Sequence, residues 1–409
     1  MKFELFIAQR IIRNRSATRK VAKPVLNISI WAISLGILIM ILAISTGNGL
    51  RNAIKNKITG FGGDIQVLNY QPSPTYEQSP VILSDSLLRS IQQRDEISLM
   101  QPYARKAGIL KNEDLFEGAV IKGVGPNYSW EFFSKFITAG KIPHFKENDY
   151  QDSILISEKL ATILDLNLGE QCEMYFIRPN KAPLRRKFTI AALFKTDFEE
   201  IDAAFLIGDI NHVRRLNNWK NKEVGGYEVF LAANNDGEEV SRSLRTILPF
   251  EYDAISARQL NAQLFQWLDL FDLNIVIILI IIIAVATINM SIALLILIME
   301  RTTMIGLLKA MGANNFTIQK IFLMNAAVLI GKGLFYGNLI GLGLAYLQQE
   351  YGFIKLDPET YYVSVVSVDI NLLHIAGINL LTLVICLICL LLPSYLISRI
   401  APNKAIRFD

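Results

Sequence analysis

The chain has 409 residues, of which 52% are hydrophobic, and its mean hydropathy is +0.33. This composition is unusual for a soluble protein of this length, which would allow two or three domains. The net charge of +4 says little by itself, because the lysines and arginines are unevenly distributed along the chain.

The first 24 residues are basic and amphipathic. Phe3, Phe6, Ile7 and Ile11 recur at helical spacing, and the lysines and arginines of this segment face a single acid, Glu4. This pattern predicts an amphipathic helix on the inner membrane face. The alternative is a basic tail that serves only to orient the chain.

Four apolar runs are long enough to cross a bilayer, which takes about 20 residues in a helix. Lipid offers the backbone no hydrogen-bond partners, so each run is predicted to be helical. The first run is longer than the core of a signal peptide and is predicted to be an uncleaved anchor. The runs are Val25–Ile44, Leu273–Met299, Ile321–Leu347 and Leu372–Ile397.

The positions of the cations predict the orientation. The leader, the tail and the link between the second and third runs are basic, and that link carries Arg301, Lys309 and Lys320. The link between the third and fourth runs has Lys355 as its one cation. Cations in short loops stay in the cytoplasm. Both termini are therefore predicted inside, and the large block between the first two runs outside.

That block mixes short alternating strands with helical segments, for which Ser84 and Ser157 are predicted N-caps. It shows no regular succession of strand and helix, which favours α+β over a parallel sheet, and its length favours two subdomains. The predicted strands are Gly63–Leu68, Gly118–Val124, Glu173–Ile177, Lys187–Phe194, Ala203–Ile207 and Tyr227–Leu231.

The predicted fold class is an α-helical membrane protein with four transmembrane helices and a large α+β extracytoplasmic domain between helices 1 and 2. The predicted divisions are a cytoplasmic amphipathic helix at 1–24, transmembrane helices at 25–47, 271–299, 318–347 and 372–398, the α+β domain at 48–270, a cytoplasmic coupling helix at 300–317, an outer loop at 348–371 and a cytoplasmic tail at 399–409.

Motifs of enzyme chemistry are absent from the sequence. It has no GxxxxGK[ST] phosphate loop, no HExxH and no GxSxG. The three histidines are widely scattered, and Cys386 and Cys389 lie within a Leu/Ile run, which favours packed apolar residues over a redox or zinc pair. We therefore predict no catalytic residue and no metal site.

Two further patterns predict contacts. Gly333, Gly337 and Gly341 form a small-xxx-small face, which favours close helix packing within the chain or at a dimer seam. The segment RPNKAPLRRK, Arg178–Lys187, is a basic tip between two strands. It is either a solvated hairpin or an exposed docking loop.

The segment ERTTMIGLLKAMGA, 300–313, predicts a short amphipathic helix on the cytoplasmic side. It is either a plain interfacial loop or a lever that fits into a groove on a motor subunit. The predicted coupling residues are the apolar Met304, Leu307, Leu308 and Met311, the flanking Glu300, Arg301 and Lys309, and Gly312, which ends the helix.

This segment, extended to ERTTMIGLLKAMGANNFTIQKIFL, resembles the element R-x-x-E-I-G-x-L-K-A-L-G-A of the ABC-transporter permeases that include FtsX proteins, MacB-type exporters and Lol-type (LolC/LolE) lipoprotein-releasing permeases. Met304 replaces the usual glutamate. The tail from Pro393 to Asp409 is similar to the family's closing motif. The runs Ile33–Gly63 and Ile154–Gly169 resemble the Lol type in particular, and the resemblance covers nearly the whole chain.

The resemblance implies a multi-pass protein of the bacterial inner membrane with a periplasmic domain. It implies a separate LolD-like ATPase that binds ATP and Mg, so this chain needs no cofactor. The other implied partners are a second permease copy or a paralogue, lipoprotein cargo, a LolA-like periplasmic carrier and membrane lipids, and no nucleic acid. The implied carrier-docking candidates are Arg178, Pro183, Arg185 and Arg186.

As a hypothesis, two permeases form an apolar cleft from their first and second spans, and ATP-driven closure expels the acyl chains of a lipoprotein. Two alternatives stay open: a MacB-like exporter of drugs or peptides, and an FtsX-like signalling protein that controls a cell-wall hydrolase. The cleft candidates are Ile37, Ile41, Ile44, Asn48, Ile275, Ile278 and Ile282.

Overall fold

The structure is a computed structural model that describes residues 22–70, 78–147, 149–178, 181–233 and 235–395. The predicted amphipathic helix at 1–24 lies outside the described residues except for its last three positions. The predicted tail at 399–409 lies outside them entirely.

Long apolar helices and short mixed elements follow one another along the chain. The helices are α1 (Ala22–Gly62), α2 (Asp85–Gln92), α3 (Glu131–Ser134), α4 (Glu158–Ile163), α5 (Glu199–Asp202), α6 (Ile210–Leu216), α7 (Gly237–Arg245), α8 (Ala257–Leu260), α9 (Ala262–Glu300), α10 (Thr302–Ala310), α11 (Asn315–Tyr351), α12 (Pro358–Tyr361), α13 (Leu372–Cys389) and α14 (Leu391–Ser394). The strands are β1 (Ile65–Asn69), β2 (Ile97–Asn112), β3 (Leu115–Val124), β4 (Ile137–Gly140), β5 (Ser153–Ser157), β6 (Gln171–Arg178), β7 (Lys181–Phe194), β8 (Phe205–Asp209), β9 (Gly226–Leu231) and β10 (Tyr252–Ser256).

Within the described residues, four helical segments are long and apolar enough to cross a membrane: α1, α9, α11 and α13 with α14. The first three predicted apolar runs lie inside α1, α9 and α11, and the fourth begins with α13. Three helices are longer than their apolar runs, because α1 continues to Gly62, α9 begins at Ala262 and α11 spans Asn315–Tyr351. Once a helix is nucleated, each added residue gains a backbone hydrogen bond, so polar residues extend it readily.

The chain folds as two compact units. We call the described residues within 1–51, 268–354 and 365–409 the helical unit, and those within 52–267 and 355–364 the sheet unit. The link between α11 and α13, predicted as a loop at 348–371, is therefore divided between the two units.

The segment 355–364 is held in the sheet unit by polar and aromatic contacts. Lys57 Nζ donates a hydrogen bond to the carbonyl of Tyr362 at 2.9 Å. The Tyr362 ring lies 5.3 Å from the ring of Phe198 and 6.2 Å from that of Trp267. Aromatic pairs at these distances are favourable beyond the area they bury.

Ten strands of the described chain form one mixed sheet in the order β10-β1-β9-β2-β3-β8-β5-β7-β4, and β6 pairs with β2 and β7. The pairs β3–β8 and β5–β7 are parallel and the others are antiparallel. The predicted α+β class is confirmed, and so are the N-caps. Ser84 Oγ accepts from the Leu87 N–H at 3.3 Å, and Ser157 Oγ from the Leu160 N–H at 3.0 Å. The division into two subdomains stays a prediction.

The glycine face of α11 packs against α1 within the chain. A methyl group added at Gly333 would lie 2.6 Å from Ile33 Cγ2, and one at Gly337 would lie 2.7 Å from Ile37 Cβ. Ser34 Oγ donates to the Gly333 carbonyl at 3.0 Å. The small residues therefore let the two backbones approach closely, as predicted.

The cysteine pair lies in the same helical unit. Cys386 is fully buried, with its Sγ 3.6 Å from the Thr287 hydroxyl, and Cys389 is half-buried. Both are free thiols. Cys386 thus packs as a small core residue, as the surrounding Leu/Ile run predicts.

Candidate functional site

The segment predicted to couple to a motor subunit forms α10, between α9 and α11. Its C-terminus is a Schellman motif centred on Gly312, whose φ is +92°. The Gly312 N–H donates to the Lys309 carbonyl at 3.0 Å, and the Ala313 N–H donates to the Leu308 carbonyl at 2.9 Å. Gly312 ends the helix as predicted, because glycine adopts this conformation without steric cost.

The apolar residues of α10 differ in how far the rest of the chain covers them. Ile305, which we did not single out, is fully buried. Met304 and Leu308 are partly buried against the helical core, whereas Leu307 and Met311 are 56% and 76% exposed. Of the four predicted apolar residues, two therefore pack within the chain and two face outward.

A third exposed apolar side chain, Phe316, follows at the first turn of α11 and is 73% exposed. We call Leu307, Met311 and Phe316 the coupling patch. Phe316 was not predicted, although an aromatic residue two positions after the N-cap Asn314 is a visible signal in the sequence. Exposed apolar residues of this kind mark interaction surfaces when they cluster.

Two predicted charged residues lie immediately before α10. Both carboxylate oxygens of Glu300 and the Nε of Arg301 are enclosed, and they make no hydrogen bond within the part of the chain that the structure describes. Enclosed polar atoms without a partner are destabilising. Their role in coupling stays a prediction.

The cleft candidates on α1 are mostly covered. Ile37 and Ile41 are buried against Gly337 and Gly341 of α11, and Ile44 is half-buried. A role for Ile37 and Ile41 as cleft walls stays a prediction, and it would require α1 and α11 to separate.

The candidates on α9 are more open. Ile278 is exposed, whereas Ile282 and Ile275 are half-buried. Ile282 packs beside Gly36, and Ile275 fills the space beside Gly47. Of the α9 candidates, Ile278 therefore presents the most accessible surface.

Other apolar residues of α1 and α9 face outward, and the prediction missed them. The glycine contacts turn Ile33 and Ile37 inward, so residues on the opposite side of α1 are left uncovered. These positions recur at helical spacing. We call them the apolar stripes: Ile28, Leu35 and Ile39 on α1, and Ile277, Ile281 and Val285 on α9.

Polar contacts join α1 to its neighbours near Asn48. Arg51 Nη1 pairs with Asp272 at the start of the second apolar run, and its Nη2 lies 3.5 Å from Asp269 Oδ1. Asn48 Nδ2 lies 3.2 Å from His374 Nδ1 of α13. Asn48 therefore contacts protein, and the ion pairs of Arg51 connect α1 to α9. We did not predict the ion pairs, although opposite charges flanking two apolar runs were visible in the sequence.

The basic tip is a β-hairpin of β6 and β7, in which the backbone of Arg178 pairs with that of Lys181. Pro183 is exposed, Arg186 is half-buried, and Arg185 Nη1 lies 3.3 Å from Glu173 Oε1. Most of the predicted tip thus belongs to β7 itself. Carrier docking by these residues stays a prediction.

A buried ion pair lies where α1 ends in the sheet unit. Lys122 and Glu228 are fully buried, with Lys122 Nζ 2.7 Å from Glu228 Oε1. Lys122 also donates to the Phe61 carbonyl in the last turn of α1, where the helix dipole favours a cation. Gln101 Nε2 donates to Glu228 Oε2 at 3.1 Å. Burial lowers the pKa of Lys122 to about 8, although the charge of Glu228 opposes this.

Lys122→Met is expected to lower the free energy of unfolding by about 3–5 kcal/mol, because it removes the closest cation from the buried Glu228 carboxylate. Adding Glu228→Leu removes that charge and should recover most of the loss. Chemical denaturation of the purified protein, followed by circular dichroism, measures both. A double variant as unstable as the single one would contradict this role of the pair.

Comparison with known proteins agrees with this architecture. The family of MacB-like periplasmic core domains matches residues 28–247, more than half of the chain, and the family of FtsX-like permease C-terminal domains matches residues 276–402. The chain therefore belongs to the FtsX/MacB superfamily of ABC-transporter permeases.

Individual relatives match over nearly their full length. The lipoprotein-releasing system transmembrane protein LolC of Neisseria meningitidis serogroup B is 25% identical over 93% of this chain and 94% of its own. LolC of Xylella fastidiosa strain 9a5c is 21% identical over 93% of each chain. A crystal structure of the periplasmic region of MacB from Actinobacillus actinomycetemcomitans covers 52% of this chain and 97% of its own, at 16% identity and a TM-score of 0.35.

Proposed function

We propose that this chain is the permease subunit of a bacterial transporter that extracts lipoproteins from the inner membrane and passes them to a periplasmic carrier. The observation that carries the proposal is the match to LolC proteins over 93% of this chain. A separate ATPase binds ATP and Mg²⁺, and this chain transmits the movement without catalysing a reaction.

In this proposal the sheet unit is periplasmic, and α10 and both termini are cytoplasmic. The cations Arg301, Lys309 and Lys320, around α10, support this orientation because cations in short loops remain inside. The exposed coupling patch is then accessible to a cytoplasmic ATPase.

Movement passes from α10 to the long helices that flank it. One residue, Arg301, separates α9 from α10, and α1 is unbroken from Ala22 to Gly62. The ion pairs of Arg51 with Asp269 and Asp272 couple α1 to α9. A displacement of α9 is therefore shared with α1.

The apolar stripes of α1 and α9 provide surface for acyl chains, and a second permease, either a copy or a paralogue, provides the opposite wall. Apolar side chains match lipid without polar groups that would need hydrogen bonds. Drawing α1 and α9 towards the partner's helices narrows the space between them and expels the lipid.

Arginine at Leu35 or at Ile281 is expected to reduce lipoprotein release at least about tenfold, because a charge in an apolar site disfavours acyl chains by several kcal/mol. Release of lipoprotein from proteoliposomes to a soluble carrier measures the effect. Leu381→Arg on α13 is the matched control, since Leu381 is 52% exposed and Ile281 56%. Undiminished release by both stripe variants would rule out the stripes as the lipid surface.

Co-purification tests the function itself. The chain isolated with its ATPase should carry lipid-modified protein that mass spectrometry identifies. The MacB-like match over residues 28–247 makes an exporter of drugs or peptides the second candidate, for which a periplasmic adaptor should co-purify instead. Recovery of a cell-wall hydrolase without lipoprotein or adaptor would favour FtsX-like signalling over both.

A further inference from the structure

The sheet unit contains a pocket of about 350 Å³ that includes no residue of the coupling patch or of the apolar stripes. It lies where α1 ends and α8 leads into α9, and its volume is within the range of small-molecule sites. Arg105, Gln66 and the backbone of Gly62 and Gly63 line its polar part. Its apolar walls are formed by Ile58, Phe61, Phe198, Ile201, Phe205 and Leu260.

Arg105 is the cation that lines this pocket, and its side chain is 16% exposed. The guanidinium carbon lies 4.8 Å from the centre of the Tyr103 ring and 5.6 Å from that of Phe205. The Nε of Arg105 is buried and makes no hydrogen bond to any described residue. A buried guanidinium N–H without an acceptor is unfavourable.

The nearest carboxylate does not neutralise Arg105 completely. Arg105 Nη2 lies 4.0 Å from Glu228 Oε1, whereas Lys122 Nζ lies 2.7 Å from the same oxygen. One buried carboxylate thus serves two cations. The cluster of Arg105, Lys122 and Glu228 keeps one positive charge in excess, next to the pocket.

We propose that this pocket binds an amphiphile with one anionic group, a carboxylate or a phosphate ester, joined to an alkyl segment. The anion pairs with Arg105 and supplies the acceptor that its Nε lacks. The alkyl segment lies against Phe198, Phe205 and Leu260, where its burial away from water is favourable. The binding is inferred from the residues that line the pocket and does not depend on the proposed cargo.

Glu200 allows a second, independent test of the binding site. It is the carboxylate that lines the same pocket, and it is exposed. Its negative charge opposes an anion in the pocket, so its removal should strengthen binding. Because Glu200 is exposed, its substitution does not threaten the core of the sheet unit.

The test uses the full chain in nanodiscs of phosphatidylcholine, with octanoate and octyl phosphate as probes in isothermal titration calorimetry. At least one of them should bind about tenfold more tightly than octanol, because charged hydrogen bonds contribute about 1.5–3 kcal/mol. Binding of octanoate but not octyl phosphate would indicate a fatty-acid carboxylate as the ligand. Binding of octyl phosphate but not octanoate would indicate a phospholipid phosphate. Equal binding of octanol overturns the role of charge, equal binding of inorganic phosphate overturns the role of the alkyl segment, and no binding of either anion overturns the site.

Substitutions locate the binding in this pocket. Arg105→Gln should weaken binding of the anionic probe about tenfold. Arg105→Lys should weaken it less, because the positive charge remains although the guanidinium N–H is lost. Glu200→Gln should tighten binding about two- to fivefold, as expected when one exposed like charge is removed. Circular dichroism checks folding of the Arg105 variants. An unchanged affinity in Glu200→Gln would overturn the proposal even if Arg105→Gln did not fold.

Discussion

Gly337→Leu is expected to destabilise the helical unit by about 1–3 kcal/mol, because the new side chain enters space that α1 already fills. A Cβ at this position would lie 2.7 Å from Ile37 Cβ and 2.7 Å from the Ser34 carbonyl oxygen, and both belong to the adjacent helix. The two helices must then move apart or the leucine must adopt a strained rotamer. Thermal unfolding of the protein in detergent, together with its level in the membrane, measures the effect.

Gly343→Leu provides the matched control on the same helix. A Cβ at Gly343 would meet no atom within 4 Å, so leucine there should change stability by less than about 0.5 kcal/mol. Both variants add the same side chain to α11, and they differ only in the atoms that this side chain contacts. Equal stability of the two proteins would show that close packing at Gly337 is unimportant.

Leu307→Asp combined with Met311→Asp is expected to weaken binding of the ATPase about a hundredfold or more. Each exposed apolar side chain gains about 1.5–3 kcal/mol when a partner buries it, and aspartate in its place would carry a charge into the interface. Both side chains face outward from α10, so the fold of the helical unit should be preserved. Co-purification of the ATPase and its stimulated hydrolysis rate measure the loss.

Exchange of the two residues, Leu307→Met with Met311→Leu, is the control for this pair. It conserves the apolar character and nearly the volume of the patch, so binding should change little. Tight binding by the aspartate variant would exclude α10 as the coupling element. Weak binding by both variants would instead indicate a requirement for shape at these positions.

The long helices were predictable because their cause is local. A backbone in lipid must bond to itself, so an apolar run of sufficient length determines a helix without knowledge of its neighbours. The same holds for the N-caps Ser84 and Ser157, whose hydroxyls bond within one helical turn. The ends of α1 and α9 were not predicted, since their polar residues carry no hydropathy signal.

β2 was missed because its residues break the pattern of a half-buried strand. Pro102 interrupts it, and Arg105 and Lys106 place two cations in succession. The charge of Arg105 is compensated by a partner far away in the chain, Glu228 on β9. The buried Lys122 escaped notice for the same reason, since an isolated lysine in a strand is usually solvent-exposed.

The buried face of α10 could not be predicted from periodicity alone. Ile305 and Leu307 are both apolar, and only the helices packed around α10 determine which of them is covered. The sequence therefore predicts that this segment is a helix. It does not indicate which residues remain available to a partner.

Assignment of residues 355–364 to the sheet unit has a practical consequence for exchanging this domain between relatives. The polypeptide passes between the two units four times. A chimera that grafts only 52–267 would therefore combine the donor's sheet with the recipient's 355–364 segment. The recipient's residue at the position of Tyr362 would then have to pack against the donor's residues at the positions of Phe198 and Trp267. A graft that transfers both segments together preserves these ring contacts, and comparing the two chimeras would separate a folding defect from a loss of function.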